Sequence, residues 1–203
     1  MSIPEPGDVA PEVALPDESG TIHRLSDQRG RWTILYFYPK DDTPGCTVEA
    51  CEFRDANDTI TERGADVWGI SPQGAISKRK FTEKFGLPFT LLADEDHQVS
   101  ETYGSWVEKQ NYGKTYMGTA RRTFLVDPDG RIARVWEKVK PEGHAADVLA
   151  ALVGTSHEHH GGDRCARRRG DVGNHCRFDA ALRAATVGFR PRYIVGAICG
   201  HAR

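Results

Sequence analysis

Tyr36-Phe37-Tyr38-Pro39-Lys40-Asp41-Asp42-Thr43-Pro44-Gly45-Cys46-Thr47-Val48-Glu49-Ala50-Cys51 starts as an apolar strand, breaks at prolines and enters a helix carrying two cysteines. Upstream, Trp32 to Tyr38 is almost wholly β-branched or aromatic, the composition of a strand. It is apolar throughout rather than alternating, so both of its faces are expected to be buried. Downstream, Cys46, Ala50, Phe53 and Ile60 fall on one stripe at spacings of four, three and seven, and Arg63-Gly64 stops the pattern. That is an amphipathic helix over residues 45–63.

Working outward, Val13–Pro16 and Gly20–Leu25 flank a polar Gly-containing turn and read as a small hairpin. Ser26–Gly30 reads as one helical turn stopped by glycine. Asp66–Ser71 and Phe89–Leu92 read as strands, with a helix over Gly74–Phe85 between them and a short helix over His97–Tyr103 after them. Residues 105–119 are polar and Gly-containing and read as a loop. Thr123–Val126 and Arg131–Trp136 are strands around Asp127-Pro128-Asp129-Gly130, whose Pro and Gly offsets fit a tight turn. Ala145–Val153 closes the pattern as a helix. The order β-α-β-α-β-(α)-β-β-α gives an α/β domain with a central mixed β-sheet flanked by helices on both faces.

Residues 1–154 form this domain, and residues 155–203 are a different material. The extension holds nine Arg, no Lys and four acidic residues, 9 − 4 = +5, whereas residues 1–154 hold 18 basic and 25 acidic residues, 18 − 25 = −7. It is rich in Arg and Gly without sustained periodicity, and two readings stand open, a disordered tail or an out-of-frame extension. The acidic body argues against nucleic-acid binding by bulk charge. No apolar run approaches the roughly 20 residues of a membrane helix. The polar, Pro-rich start Met1–Asp8 lacks the features of a secretory signal, so the cytoplasm is the expected compartment. Five cysteines there are expected to be thiols rather than a disulfide framework.

A cysteine needs help to become the reactive thiolate. Gly45-Cys46 sits where the chain leaves a strand and enters a helix, and Pro44 fits the first helical position. Unpaired amides and the helix dipole favour an anion there. The C-terminal end of a strand is also where open α/β sheets place their sites. Cys46 and Cys51, five residues apart on an ideal helix, have Cα atoms roughly 8–9 Å apart and are turned by about 140°. A disulfide needs about 7 Å or less. The pair can bond only if the helix unwinds locally, which fits a redox cycle rather than a permanent staple. The spacing also differs from Cys-x-x-Cys.

Phe37-Tyr38-Pro39-Lys40, Thr43-Pro44-Gly45-Cys46-Thr47 and Glu49-Ala50-Cys51 together resemble the active-site segment of the peroxiredoxins. A second cysteine at plus five is similar to the bacterioferritin comigratory protein, or Q-type, subfamily. Gly7-Asp8-x-Ala10-Pro11, Phe89–Leu92 with Asp94, Gly113-Lys114-x-Tyr116-x-Gly118 and Phe124–Asp127 extend the likeness over residues 3–153. The resemblance implies a thioredoxin-like fold and a thiol peroxidase acting on hydrogen peroxide and organic hydroperoxides. It implies Cys46 as peroxidatic cysteine, Thr43 as hydrogen-bond partner of peroxide and thiolate, and Pro39 as a shield from water. Arg121 is the implied site arginine, in preference to its neighbour Arg122. Cys51 would resolve the sulfenic acid as an intramolecular disulfide, and thioredoxin or a similar dithiol would reduce it. No cofactor, metal, flavin or haem, is needed, and no nucleic-acid or membrane partner is expected. A resolving thiol in the same chain makes a monomer the expected state. The rival readings are a redox sensor and a disulfide oxidoreductase on the same fold.

Other polar clusters are expected to be structural. Asp94-Glu95-Asp96-His97 reads as a helix N-cap region rather than a metal set. His157, His159, His160, Cys165 and Cys176 lack a packed scaffold for zinc. Cys199 is a bystander, Arg167-Arg168-Arg169 a solvated charge run, and His23 and His144 surface residues. Trp68 and Trp136 are expected in the core.

Overall fold

The computed structural model describes residues 3–111 and 113–155. The C-terminal extension, with its cysteines, histidines and arginine run, lies outside the described residues. The elements are β1 (Ala14–Pro16), β2 (Ile22–Arg24), a 3-10 turn (Leu25–Gln28), β3 (Trp32–Phe37), α1 (Pro44–Glu62), β4 (Ala65–Ser71), α2 (Ala75–Phe85) and β5 (Thr90–Ala93). They continue as α3 (Gln98–Thr102), β6 (Trp106–Asn111), β7 (Lys114–Thr119), β8 (Arg122–Val126), β9 (Ile132–Trp136) and α4 (His144–Thr155).

A central sheet runs in the order β5-β4-β3-β8-β9. β3 pairs parallel with β4 and antiparallel with β8, so it is the middle strand and the sheet is mixed. That position explains its composition, since all of its residues but Trp32 are buried. Ile34 and Tyr36 face one layer, with Val67, Leu91 and Leu125, and are covered by Cys46, Ala50, Phe53 and Ile60 of α1, Phe81 of α2, and Val148 and Leu152 of α4. Leu35 and Phe37 face the other layer, with Trp68, Ile70, Leu92 and Phe124, and are covered by Val13, Leu15 and Leu25 near the β1–β2 hairpin and by Val99 and Tyr103 around α3. The period of two along β3 thus splits one apolar run between two cores.

Local chemistry stops the elements where the domain needs turns. Gly86 ends α2 in the left-handed region (φ 60°), and the Leu87 amide returns to the Thr82 carbonyl at 3.1 Å. Gly130 takes φ 73° in the β8–β9 turn, where its amide donates to the Asp127 carbonyl at 2.9 Å. Gly69 serves packing instead. A Cβ there would lie 2.6 Å from both the Tyr36 hydroxyl and a Leu91 methyl, so the glycine gives Tyr36 room to lie across β4.

Two expectations are corrected. Residues 105–119 are not a loop, because β6 and β7 form an antiparallel hairpin with Glu108 opposite Met117 and Lys109 opposite Tyr116. It is a separate two-stranded ribbon whose described side chains are mostly exposed or half-buried, so it lacks the alternating apolar pattern that marks a sheet strand in sequence. His144 is not a surface residue. It is 3% exposed, its Nε2 lies 2.8 Å from Thr123 Oγ1, and its ring meets Phe53 and Trp136 edge-on. Burial pushes its imidazole down to about 4. Asp94 caps the turn around α3 as expected, accepting the amides of Val99 and Ser100 at 3.2 and 2.7 Å.

Candidate active site

The end of β3 and the start of β8 are neighbours in the sheet, with Phe37 opposite Arg122. This register places Arg121, one residue before β8, beside the point where the chain leaves β3 for α1. Tyr38 still follows the sheet, its amide donating to Ile70 O at 3.0 Å. Asp42 then takes a left-handed conformation (φ 53°), and Thr43 is extended (φ −102°, ψ 152°) as the residue before the helix. Pro44 occupies the first turn, and the first intrahelical bond runs from Thr47 N to Thr43 O at 2.8 Å. The Thr43 side chain does not cap the helix, and its hydroxyl donates to Lys40 O at 3.2 Å. The amides of Gly45 and Cys46 therefore precede the helical ladder and keep the partial positive charge of a helix start.

Cys46 and Cys51 both lie on α1 and are buried, at 1% and 8% exposure. α1 is continuous through both residues. Arg121 Nη2 donates toward Cys46 Sγ at 3.4 Å, and its Nη1 donates to Glu49 Oε2. One guanidinium thus bridges the cysteine and a carboxylate one turn further along the same helix. Gly45 makes room for it, since a Cβ there would stand 3.3 Å from both Arg121 Nη2 and Pro141 Cγ. Arg122 turns away and donates to Gly104 O. Pro39 is half-buried at the loop entrance, and Thr43 is half-buried four residues on.

The charges around this sulfur are unusual for a protein interior. Burial pushes Glu49 up to about 7, against the pull of Arg121. Burial opposes the charge on Arg121, but Glu49 and Cys46 hold its guanidinium above the ordinary range. On the β6–β7 ribbon, burial and the Arg121 charge hold Lys109 below the ordinary lysine range, and its ammonium donates to Thr119 O at 2.6 Å. Across the loop, Lys78 is fully buried and bonds Asp41 Oδ1 and Tyr38 Oη, both at 2.9 Å, as well as Ser71 Oγ. Burial pushes it down to about 8, against the pull of Asp41.

Glu49, Lys78 and Lys109 were not among the expected site residues. For the first two, a signal existed. Glu49 lies three residues after Cys46 and four before Phe53, and Lys78 three before Phe81, so both fall on the apolar stripes of their helices. A charged residue on a buried stripe requires a partner.

The AhpC/TSA family model matches residues 6–135. The chain is 46% identical over 148 residues to Peroxiredoxin Bcp of Bacillus subtilis, covering 73% of this chain and 94% of that protein. It is 48% identical over 143 residues to Peroxiredoxin Bcp of Escherichia coli K12, covering 70% and 92%. The chain belongs to the AhpC/TSA family, among its peroxiredoxins. The fold agrees with solved members of the bacterioferritin comigratory branch. The Xanthomonas campestris bacterioferritin comigratory protein, described for its alkyl peroxide reduction activity, superposes with a TM-score of 0.68 at 38% identity, over 71% of this chain and 92% of that one. These neighbours share the thioredoxin-like architecture, and the activity of this chain is that of a thiol peroxidase. Among the described residues, no helix is long and apolar enough to cross a membrane.

Proposed function

We propose that Cys46 is the peroxidatic nucleophile and Cys51 the resolving thiol of a peroxidase acting on hydrogen peroxide and alkyl hydroperoxides. The observation that carries this reading is the Arg121 guanidinium, shared between Cys46 Sγ at 3.4 Å and Glu49 at the start of α1. Arg121 and the Gly45 and Cys46 amides offer donors to the reacting sulfur and to the oxygen that takes up charge. Glu49 holds the guanidinium in place. Thr43 offers its hydroxyl once it leaves Lys40 O, and Pro39 limits water at the entrance.

The Cys46 thiolate attacks one oxygen of ROOH. The S–O bond forms, the O–O bond breaks, and the departing RO⁻ takes a proton as ROH. Cys46 is left as sulfenic acid, having given up two electrons. α1 then unwinds between the two cysteines, because about 8–9 Å between Cα atoms on the helix exceeds the disulfide limit of about 7 Å. Cys51 attacks the sulfenic sulfur, the disulfide forms and water leaves. An external dithiol, thioredoxin or one like it, restores both thiols by exchange and is itself oxidised. Both cysteines belong to one chain, so the cycle needs no second subunit, and we place it in a monomer. Two thiols that must be regenerated fit the reducing cytoplasm.

The test is steady-state consumption of peroxide with a thioredoxin system. Turnover is expected for the wild-type chain, none for Cys46→Ser, and a halt after one equivalent for Cys51→Ser. Full activity in Cys46→Ser would overturn the assignment.

A further inference from the structure

If Cys46 and Cys51 must meet, a defined piece of α1 has to open while the rest of the helix stays packed. The structure marks both ends of that piece. Downstream, the anchors begin immediately after Cys51. Glu52 Oε1 accepts the Gly143 amide at 2.7 Å, and Arg54 Nη1 donates to Phe85 O at 2.9 Å. Phe53 between them is fully buried. Upstream, the anchor is a buried polar cluster built on the loop before Thr43. Asp41 Oδ1 accepts from Lys78 Nζ (2.9 Å), Tyr38 Oη (2.7 Å) and Ser71 Oγ (3.1 Å), and the Asp41 amide donates to Gln73 Oε1 at 3.2 Å. Lys78, Tyr38 and Ser71 are each 0% exposed, and Asp41 is 6% exposed. Such a cluster has no part in the peroxide chemistry described above, yet it ties residues 38–41 to β4 and α2. Beyond it, Asp42 pairs with Lys84 at the surface, the kind of contact worth little in water.

We propose that Lys78 is a positioning residue for peroxide reduction. It fixes Tyr38–Asp41 as the post against which residues 42–51 open and close, and so sets the balance between two forms. In the wound form Cys46 sits under Arg121 and meets peroxide. In the unwound form Cys46, as sulfenic acid, meets Cys51. The reason is one of register. The α1 N-terminus closes onto its own loop, and the Thr47 to Thr43 bond forms only when Thr43 is held where Asp41 places it. A buried ammonium with three oxygen partners holds that turn more firmly than neutral contacts would. Removing it leaves the Asp41 carboxylate buried with hydroxyl donors but no counter-charge, which drives the loop toward water. Peroxide reactivity scales with the wound fraction, and disulfide formation with the unwound fraction.

This inference rests on the disulfide reading of Cys46 and Cys51. It is tested on the full chain by stopped-flow with hydrogen peroxide, following Cys46 oxidation and disulfide formation as separate phases. Amide exchange is measured on the same proteins. For Lys78→Met the oxidation phase is expected to slow by on the order of tenfold, with disulfide formation unslowed. Exchange should rise across residues 42–51 and stay unchanged across residues 55–62. The milder Asp41→Asn, which keeps an oxygen facing Lys78, should show the same split with a smaller change. It carries the test if Lys78→Met does not fold. Unchanged phases in a folded Lys78→Met, equal slowing of both, or no split in Asp41→Asn would overturn the proposal. The disulfide phase of Cys51→Ser, run alongside, separates the two failures, since its persistence would mean that the disulfide reading is wrong and its loss that the reading stands.

Discussion

At the scale of the residue, the site depends on charge kept where burial disfavours it. Arg121 lies between a sulfur and a carboxylate that is itself 0% exposed. Replacing Arg121 with Met should lower the rate constant for peroxide reduction by roughly a hundredfold, the cost typical of losing one donor to developing charge. The effect should appear in kcat/KM for peroxide and leave the reaction with the reductant unchanged. Steady-state kinetics with each substrate varied in turn would show this. The same substitution at Arg122 should cost far less, since that side chain donates to Gly104 O. Neighbours in an extended chain point opposite ways, so only one of the two arginines could reach the site, and it was the resemblance that singled out Arg121. Glu49, Lys78 and His144 carry a local signal of burial but none of their partners. Each sits three or four residues from an apolar residue on the buried stripe of its helix, His144 being four before Val148. Hydropathy reads such positions as polar gaps. Their partners Arg121, Asp41 and Thr123 are 72, 37 and 21 residues away in sequence, beyond the reach of any local pattern.

At the scale of the element, β3 and α1 were the most legible because their patterns are long and their boundaries chemical. Pro44 starts the helix and Gly64 follows its end. The β6–β7 ribbon was illegible because its residues are mostly exposed or half-buried and show no apolar alternation. Two predictions belong here. Gly69→Ala forces a methyl against Tyr36 and Leu91 between β3, β4 and β5, and should destabilise the domain by about 1–3 kcal/mol in urea unfolding. The packing of α4 on the sheet should depend on pH through His144. Its folded-state value of about 4 lies below the ordinary 6.5. The unfolded chain therefore takes up a proton first, so the stability is fully present above pH 6.5 and is lost as pH falls toward 4. At full effect this is worth roughly 3 kcal/mol. Glu49, raised from 4.5 to about 7, acts in the opposite direction, its burial costing more as pH rises through that window. Both groups are present in the wild-type chain, so their contributions offset each other across that window. His144→Gln keeps a partner for Thr123 and removes only one of the two. Between about pH 7 and pH 5 the variant should gain stability relative to wild type, as followed by urea midpoints. A parallel course of the two curves would contradict the assignment.

At the scale of the whole molecule, every described element and the candidate site lie within residues 3–155. The family model ends within that span, at residue 135. The Arg-rich remainder is not needed for the cycle proposed here. Ending the chain after Thr155 should leave peroxide turnover and the melting temperature unchanged, as checked by the coupled assay and by calorimetry. The central claim is that Cys46 reacts first and that α1 then opens to deliver it to Cys51. One measurement addresses it directly, peptide mass spectrometry of the wild-type chain after a single equivalent of peroxide, with remaining thiols blocked. A peptide joining Cys46 to Cys51 is expected, with Cys165, Cys176 and Cys199 recovered as blocked thiols. Recovery of Cys46 as a blocked thiol, or its disulfide formed with any cysteine other than Cys51, would contradict it.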